Sequence, residues 1–534
     1  MFKQMSSKTG VLSRFLLRQD RFRIPIWLLS LSGITLLTAQ AFTGLYATEE
    51  NRQTIAQTMV NPAMTAMVGK GYGLDDYTFG AMLAHQMLLF TAVTVAIMSI
   101  LLVARHTRAE EEDGRLELIR SLPAGRLASL NAALIVVIGV NILLALLTAA
   151  GLYALGIESI DLEGSLLYGA ALGASGIIFA AITAFFSQLS ESSRGTIGLS
   201  FAALGAAYFI RAIGDVSNET LSWFSPLGWV TGTEVYVNDY WWPVLLTLGV
   251  SLILIVVSLY INSIRDLDAG FLPSRPGKTR ASTALQSPIG LALRMQRTGI
   301  IAWAIGVLLI GASYGSIFGD LDTFFEDMEI MKDLLSGLEG GSLTEQFIAK
   351  LMSIIAMICT IPALMAVFKL RGEEKKGRTE HLLARAVSRN RLLASYMLIS
   401  LIVGFVMLSL AALGLGAAAL AVLEDGPSLA TIYGAAMVYL PALAIFIGLA
   451  VLLTGLLPKL TGITWLYLGY SFFVVYLGGV FQFDEWVGSL TPFGHVPELP
   501  IEDVNTVVLI LLTVIAAVLM AVGFIGYRRR DIQG

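Results

Sequence analysis

The sequence predicts an all-α polytopic membrane protein made of two homologous halves, with about six transmembrane helices in each. Of its 534 residues, 56% are hydrophobic and 14% are charged, whereas soluble domains carry roughly 25% charged residues. Apolar runs of the length that a spanning helix needs, about 20 residues, recur along the chain. A charged motif at residues 108–117 returns at residues 371–380, which indicates an internal duplication.

Apolar length predicts twelve spans, six in each half. The first half, residues 1–265, contains predicted spans at 24–45, 79–104, 130–155, 165–189, 196–213 and 242–263. The second half, residues 289–534, contains predicted spans at 299–318, 346–370, 392–422, 430–457, 461–482 and 504–527. The small residues between Leu166 and Ala184 predict close helix packing in the first half.

Residues 266–288 separate the halves and are rich in Pro, Gly, Ser and basic residues, which is typical of a linker. No segment is long and polar enough for a nucleotide-binding domain, and the chain has no Gly-x-x-x-x-Gly-Lys-Ser/Thr motif. The single cysteine and the four scattered histidines give no metal-ligand spacing. We therefore expect no catalytic residue, no metal site, no cofactor bound by this chain and no nucleic-acid partner.

Lysine and arginine indicate the orientation. They concentrate in the N-terminal segment, in loops 105–126, 265–297 and 371–391, and in the tail Arg528–Arg530, while loops on the other side, including 320–333 and 424–425, are acidic. The positive-inside rule then places both termini in the cytoplasm. Residues 10–23 are predicted to form an amphipathic helix on the cytoplasmic leaflet.

The repeated motif lies after the second span of each half. Residues 108–117 are Arg-Ala-Glu-Glu-Glu-Asp-Gly-Arg-Leu-Glu, and residues 371–380 are Arg-Gly-Glu-Glu-Lys-Lys-Gly-Arg-Thr-Glu. The Arg, the Glu pair, the Gly-Arg pair and the final Glu recur at an offset of 263 residues. Leu116, Ile119 and Leu122 follow at helical spacing, which predicts a short helix with one apolar face.

Such a helix below the bilayer could be a solvated cap, but its duplication favours a docking helix for a soluble protein. Glu-Glu-x-x-Gly-Arg-x-Glu at this place resembles the coupling loop of type 2 ABC exporter permeases. Two copies in one chain resemble the fused twelve-span permeases of polyketide-antibiotic exporters, including the tetronasin type. Ser225-Pro-Leu-Gly-Trp-Val230 and Thr491-Pro-Phe-Gly-His-Val496 match the short re-entrant helices of that superfamily.

The resemblance implies an ATP-driven exporter of a hydrophobic or amphipathic compound. Its partner would be a separate cytoplasmic ABC ATPase, in two copies, that holds ATP and Mg. Moving a two-state pore from 1:99 to 99:1 takes about 5.5 kcal/mol, whereas exposed ion pairs contribute only about 0.2–1 kcal/mol each. We therefore expect the charged residues of the motif to align the ATPase on the loop, and the leucines to supply most of the binding energy. The predicted coupling residues are Glu110, Glu111, Gly114, Arg115, Leu116, Glu117, Ile119, Glu373, Glu374, Gly377, Arg378, Glu380, Leu382 and Leu383.

Ionisable and polar residues inside predicted spans are costly and invite a functional explanation. Arg211 and Asp215 are spaced to pair along one helix face near an outer end. His85 and Gln86 lie in the outer third of the second span. These four residues are candidates for a substrate path, with a purely structural anchoring role as the alternative for each pair.

Two other functions compete with the ABC exporter. A proton-coupled transporter of the major facilitator type also has six plus six spans and a repeated Gly-Arg loop, but its loop is shorter and lacks the glutamate pair. A membrane scaffold or sensor would need an output domain, which the sequence lacks. In every case the lipid bilayer is a partner.

Overall fold

The computed structural model describes residues 5–60, 62–266, 269–272, 279–316, 318, 342–385, 387–423, 426–481 and 485–531. These residues form helices and connecting turns, and the described part contains no β-strand. The chain divides into two compact units, Met1–Gly277 and Lys278–Gly534, at a boundary inside the predicted linker. The acidic loop stretches 320–333 and 424–425 lie outside the described residues.

The first unit contains twelve α-helices of four or more residues among its described residues. They are α1 Thr9–Gln19, α2 Arg23–Leu45, α3 Glu49–Met59, α4 Pro62–Val68, α5 Phe79–Ala104, α6 Arg115–Arg120, α7 Ala128–Ala154, α8 Leu162–Leu189, α9 Ser193–Ser217, α10 Glu219–Ser222, α11 Pro226–Thr231 and α12 Trp242–Ile264. Side-chain oxygens of Thr78, Asp161 and Ser192 accept from backbone N–H groups at the starts of α5, α8 and α9. These caps explain where the three helices begin.

The second unit repeats the order of long helices. Its described helices are α13 Pro288–Ser316, α14 Leu343–Lys375, α15 Arg378–Leu383, α16 Arg389–Val422, α17 Leu429–Met437, α18 Leu440–Leu456, α19 Gly462–Phe481, α20 Glu485–Ser489 and α21 Thr506–Arg529. Ser342 and Glu345 form a reciprocal capping box at the start of α14. Ser388 caps α16 in a similar way.

Eleven segments of the described chain are long and apolar enough to cross a membrane, which confirms the all-α polytopic class. The predicted span 461–482 forms α19, which is not among the eleven. The predicted span 430–457 is interrupted, because α17 ends at Met437 and α18 begins at Leu440 with Pro441 in its first turn. Proline has no N–H to donate and fits the first turn of a helix, so it marks the new start.

Helix α8 lies at the centre of the first unit and packs against α5, α7 and α12. Its glycines allow this approach. A Cβ atom on Gly169 would collide with the backbone oxygen of Ala145, and one on Gly176 would collide with the side chain of Asn141. The predicted close packing of residues 166–184 is confirmed, and these two glycines bring α8 close to α7.

The second unit is packed by the same means. Helices α13 and α16 are in extensive contact, as are α18 and α21. A Cβ atom on Gly311 would meet the backbone oxygen of Ala411, and one on Gly414 would meet that of Leu308. The buried core of this unit includes α14, which leads into the second copy of the charged motif.

Candidate coupling site

The first copy of the motif is the end of α5 and the turn that follows. The helix continues past Ala104 through a π-helical turn, Arg105–Ala109, and then to Glu112. Inserted π turns rotate the residues beyond them and are frequent at functional sites. The short helix α6 begins after Gly114. In the second copy, α14 runs to Lys375 and α15 begins after Gly377.

Both turns depend on glycine. Gly114 has φ 72° and Gly377 has φ 66°, in the left-handed region where a side chain is strained. A Cβ atom at either position would meet nothing within 4 Å. Backbone conformation, not space, therefore explains why the motif carries glycine twice at the same place.

The first glutamate of each copy pairs across the glycine turn with the arginine of the motif. Glu110 Oε1 lies 3.0 Å from Arg115 Nη1, and Glu373 Oε2 lies 3.3 Å from Arg378 Nη1. Glu373 also pairs with Lys369 at 2.9 Å. In both units, therefore, the same type of ion pair connects the first residue of the short helix to the end of the preceding long helix.

The second glutamate of the first copy points into its unit. Glu111 is only 6% exposed and lies 2.8 Å from both Arg108 Nη1 and Arg265 Nη2. Arg108 is itself buried and donates to the backbone oxygens of Ser190 and Ala269. Because Arg265 follows the last residue of α12, Glu111 joins the end of α5 to the end of the sixth long helix.

The second copy repeats this link with other residues. Glu374 is 3% exposed, and both of its carboxylate oxygens accept from Arg530 Nη2, at 2.8 and 2.6 Å. Tyr527 donates its hydroxyl to Glu374 Oε1 at 2.7 Å. Arg530 follows the last residue of α21, which occupies the place of α12 in this unit.

The sequence did not reveal these partners. In the sequence, Arg265 belongs to a basic loop and Arg530 to the basic tail, and each follows the sixth long helix of its half. Their shared position, directly after the sixth long helix, was the sequence feature from which the pairing could have been predicted. The two glutamates of the motif therefore have different structural roles. The first pairs with the arginine across the glycine turn, and the second pairs with an arginine at the end of a distant helix.

The predicted leucine face differs from the structure in the first copy. Leu116 is 8% exposed and lines a cavity of about 20 Å³ with Arg108 and Glu111, so its side chain is already packed inside the unit. Leu118 and Leu122 are instead 71% and 63% exposed. Residues 116 and 118 lie about 200° apart around a helix, so burying one exposes the other. Ile119 is half-buried.

The remaining motif residues divide between solvent and core. Glu117 and Glu380 are exposed, and their role in setting register stays a prediction. Leu382 and Leu383 are half-buried and pack against the core of the second unit. The second short helix therefore turns its leucines inward and leaves polar side chains on its outer surface.

A further anchor holds the N-terminal helix beside the first copy. Asp20, just after α1, is fully buried and accepts from His106 Nε2 at 2.5 Å. Arg105 Nε lies 3.5 Å from the same carboxylate. On α1, Leu16 is buried while Val11 and Phe15 are 62% and 56% exposed. This exposure fits the predicted helix at a membrane surface.

Comparison with known proteins connects this architecture to a family. A family model described as the multidrug efflux system permease Rv1217c, C-terminal domain, matches residues 14–261 and 285–528. The chain is also 36% identical over 535 residues to the multidrug efflux system permease protein Rv1217c of Mycobacterium tuberculosis (strain ATCC 25618 / H37Rv), which covers 99% of this chain and 96% of that protein. The chain belongs to the Rv1217c family of multidrug efflux permeases. The predicted permease class is confirmed, whereas the type 2 ABC and tetronasin-type assignments stay predictions.

The outer residues of this Rv1217c-family chain form a second polar centre. Arg211 is fully buried on α9 and lies 3.2 Å from Asp215, as their spacing predicted. Its guanidinium also donates to the backbone oxygens of Thr65 and Ala66 near the end of α4. Helix ends leave such carbonyls without partners, so a cation there is favourable.

His85 holds the same segment from α5, and Gln86 lies beside Tyr77, the other partner of His85. His85 Nδ1 lies 2.8 Å from the hydroxyl of Tyr77, and its Nε2 lies 3.1 Å from the backbone oxygen of Gly69. Gln86 Nε2 lies 3.5 Å from the Tyr77 hydroxyl. The two ring nitrogens of a neutral histidine can satisfy these contacts as one donor and one acceptor.

The two pairs of candidate path residues therefore converge on one loop. Gly69, at φ 111°, bonds to His85, and a Cβ atom placed on it would lie 3.7 Å from Arg211 Nη1. The cavity that His85 lines with Lys70 and Glu234 has a volume of about 20 Å³, enough for one water molecule. In this arrangement His85 and Arg211 fasten the loop to α5 and α9, while Gln86 contacts Tyr77 and Asp215 pairs with Arg211.

Proposed function

We propose that this chain is the transmembrane subunit of an ATP-driven exporter whose separate cytoplasmic ABC ATPase, in two copies, binds the two charged loops. The chain would move a hydrophobic or amphipathic compound outward across a bacterial plasma membrane, with both termini in the cytoplasm. Membership in a multidrug efflux permease family supports export, and the basic loops support the orientation.

One observation carries the ATPase partnership: the two loops share a mechanical design. Each has a left-handed glycine turn and a glutamate–arginine clamp. In each, a second, buried glutamate is tied to an arginine just beyond the sixth long helix. A solvated cap needs none of these buried links, whereas a lever that transmits force from a partner to membrane helices does.

The buried links let a displacement of the short helix reach two membrane helices. Removing one partner of a buried ion pair costs about 3–5 kcal/mol. That resistance is comparable to the roughly 5.5 kcal/mol needed to invert a two-state pore. Force on α6 or α15 is therefore passed to the ends of α5 and α12, or of α14 and α21, before the link yields.

The outer loop would act at the other end of the cycle. Release of a compound outward requires the segment 65–69 to leave α5 and α9, which breaks the contacts of His85 and Arg211. Tyr208 donates to the backbone oxygen of Met67 at 2.8 Å, so cysteines at these two positions can be joined by a short crosslinker. Crosslinked Met67→Cys/Tyr208→Cys protein should not export. Full export after crosslinking would contradict this gate.

Co-purification tests the partnership. The full chain would be expressed with an ABC ATPase encoded beside it, and the complex would be isolated through a tag on the chain. We expect the ATPase to be retained and its ATP hydrolysis to rise with a hydrophobic compound. Glu111→Ala and Glu374→Ala should weaken this stimulation more than the matched exposed variants Glu117→Ala and Glu380→Ala. A chain that retains no ATPase but exports with a proton gradient would contradict the proposal and favour a major facilitator transporter.

A further inference from the structure

The two short helices and their flanks carry opposite charge. We define the first dock as residues 112–122 and the second dock as residues 375–385, which correspond at the offset of 263. The first dock has three acidic and two basic residues, a net charge of −1. The second dock has one acidic and four basic residues, a net charge of +3 with His381 neutral. Two equivalent positions in a duplicated chain therefore differ by four charges.

Two of the three acidic groups of the first dock have partners within the chain. Glu112 accepts from the backbone N–H of Ser193 at 3.1 Å, at the start of α9. Asp113 lies 3.2 Å from Arg115. The exposed large apolar side chains of this dock are Leu118 and Leu122. One exposed leucine on the short helix and another in the turn that follows it provide apolar area for a partner to bury.

The second dock replaces each of these features with a basic or titratable group. Lys375 and Lys376 occupy the places of the two acidic residues, and both are exposed. His381 and Arg385 occupy the places of the two exposed leucines and are exposed as well. The leucines of this dock face its own core. Its outer surface is consequently polar and positive.

We propose that the two docks bind the ATPase by different physics, with the first as an apolar anchor and the second as an electrostatic contact to an acidic surface. This inference rests on the proposed function. Leu118 and Leu122 enter an apolar groove, whose binding energy comes from area removed from water and is insensitive to salt. Lys375 and Lys376 meet carboxylates, whose attraction is screened as ionic strength rises.

Anionic lipid headgroups could also attract a basic surface, but the first dock argues for a protein partner. The positive-inside rule predicts that both docks lie on the cytoplasmic side, where the same anionic leaflet would be near each of them. The first dock has net negative charge and exposes Glu117, which anionic headgroups would repel. One ATPase surface can combine an apolar groove with an acidic rim, so each of the two copies can engage its dock through a different part of the same surface.

The test measures affinity of the purified ATPase for the full chain in lipid nanodiscs. Each variant is titrated at about 50 mM and about 500 mM NaCl, where the Debye length falls from roughly 14 to roughly 4 Å. Nanodiscs of neutral lipid and nanodiscs with anionic lipid are compared. The two dock variants are Lys375→Glu/Lys376→Glu and Leu118→Ser/Leu122→Ser. Their matched controls outside the docks are the exposed pairs Arg528→Glu/Arg529→Glu and Phe271→Ser/Leu272→Ser.

The expected results separate the docks. The lysine reversal should weaken binding at least about fivefold at low salt and less than about twofold at high salt, in both lipids. The leucine variant should weaken it at least about tenfold at both salt concentrations. Both controls should stay within about twofold of the unaltered chain.

Three outcomes would count against the inference. Equal salt dependence of the two dock variants would overturn the division of labour. Loss of affinity confined to anionic nanodiscs would assign the lysines to lipid and overturn the acidic protein contact. If the unaltered chain binds no ATPase at either salt concentration, the proposed function itself fails. This result differs from a failure of the division between the docks, which appears only when the unaltered chain binds and the variants are compared.

Discussion

The buried link between Glu374 and Arg530 gives the most quantitative prediction. Glu374→Ala removes the acceptor for Arg530 and for the hydroxyl of Tyr527, whose contacts are all between 2.6 and 2.8 Å. Breaking a buried ion pair costs about 3–5 kcal/mol. Because the Arg530 side chain is 15% exposed and can turn toward water, we expect the free energy that holds the link closed to fall by about 3 kcal/mol. That corresponds to roughly a hundredfold increase in the detached population.

Hydrogen exchange with mass spectrometry can measure this population in nanodiscs. Detachment of the link frees the turn and α15, so amides within residues 371–385 should exchange about a hundredfold faster in Glu374→Ala. Glu380→Ala is the matched control, since it removes an exposed carboxylate from the same motif. Its exchange should stay close to that of the unaltered chain.

A charge swap separates the ion pair from general disruption. Glu374→Arg/Arg530→Glu should recover part of the lost protection, because the pair is rebuilt in reverse order. Unchanged exchange in Glu374→Ala, or an equal change in Glu380→Ala, would refute the reasoning that the second glutamate holds the loop.

Three further predictions concern other parts of the chain. Gly377→Ala puts a side chain at φ 66° and should cost about 1–2 kcal/mol, seen as faster limited proteolysis at the turn; equal cleavage would contradict it. Arg211→Met leaves Asp215 buried without its cation, so the detergent-solubilised protein should lose about 3–5 kcal/mol and several degrees of melting temperature; an unchanged Tm would contradict it. Burial raises the pKa of the Glu498 carboxyl, so the folded protein favours the protonated form and loses stability as pH rises above about 4.5. Glu498→Gln should therefore raise Tm at about pH 7.5 but not at about pH 4.5, and a pH-independent shift would contradict this.

Local rules and length predicted much of the fold. Apolar runs of about 20 residues located most long helices, because the bilayer sets that length. The turn at residues 114 and 377 was recognisable as a Gly-Arg step in both halves. The break between α17 and α18 was also present in the sequence, as Pro441, but hydropathy averages over a window and conceals a single proline.

The roles within the motif depended on contacts that local sequence does not record. Glu111 and Arg265 lie 154 residues apart, and Glu374 and Arg530 lie 156 apart. Periodicity correctly predicted a short helix after the glycine but not which side faces its unit. The π turn before Glu110 and the glycine turn after it reorient α6, so that Leu116 is packed inside and Leu118 lies outside.

The outer polar residues show the same limit. The spacing of Arg211 and Asp215 predicted their pairing on one helix face, and the structure confirms it. It did not predict that the guanidinium would also bind carbonyls about 145 residues earlier. Gly69 lies near both α5 and α9 only in the folded loop. There His85 contacts the Gly69 backbone oxygen, and Arg211 contacts the oxygens of Thr65 and Ala66.

ATP-driven transport in a reconstituted membrane tests the central claim most directly. The full chain and its ABC ATPase would be placed in proteoliposomes, and the movement of a fluorescent hydrophobic compound would be followed with a proton ionophore present. We predict transport that requires both ATP and the ATPase, survives the ionophore and falls in Glu111→Ala/Glu374→Ala. Transport that needs no ATPase and stops when the proton gradient is collapsed would contradict the account.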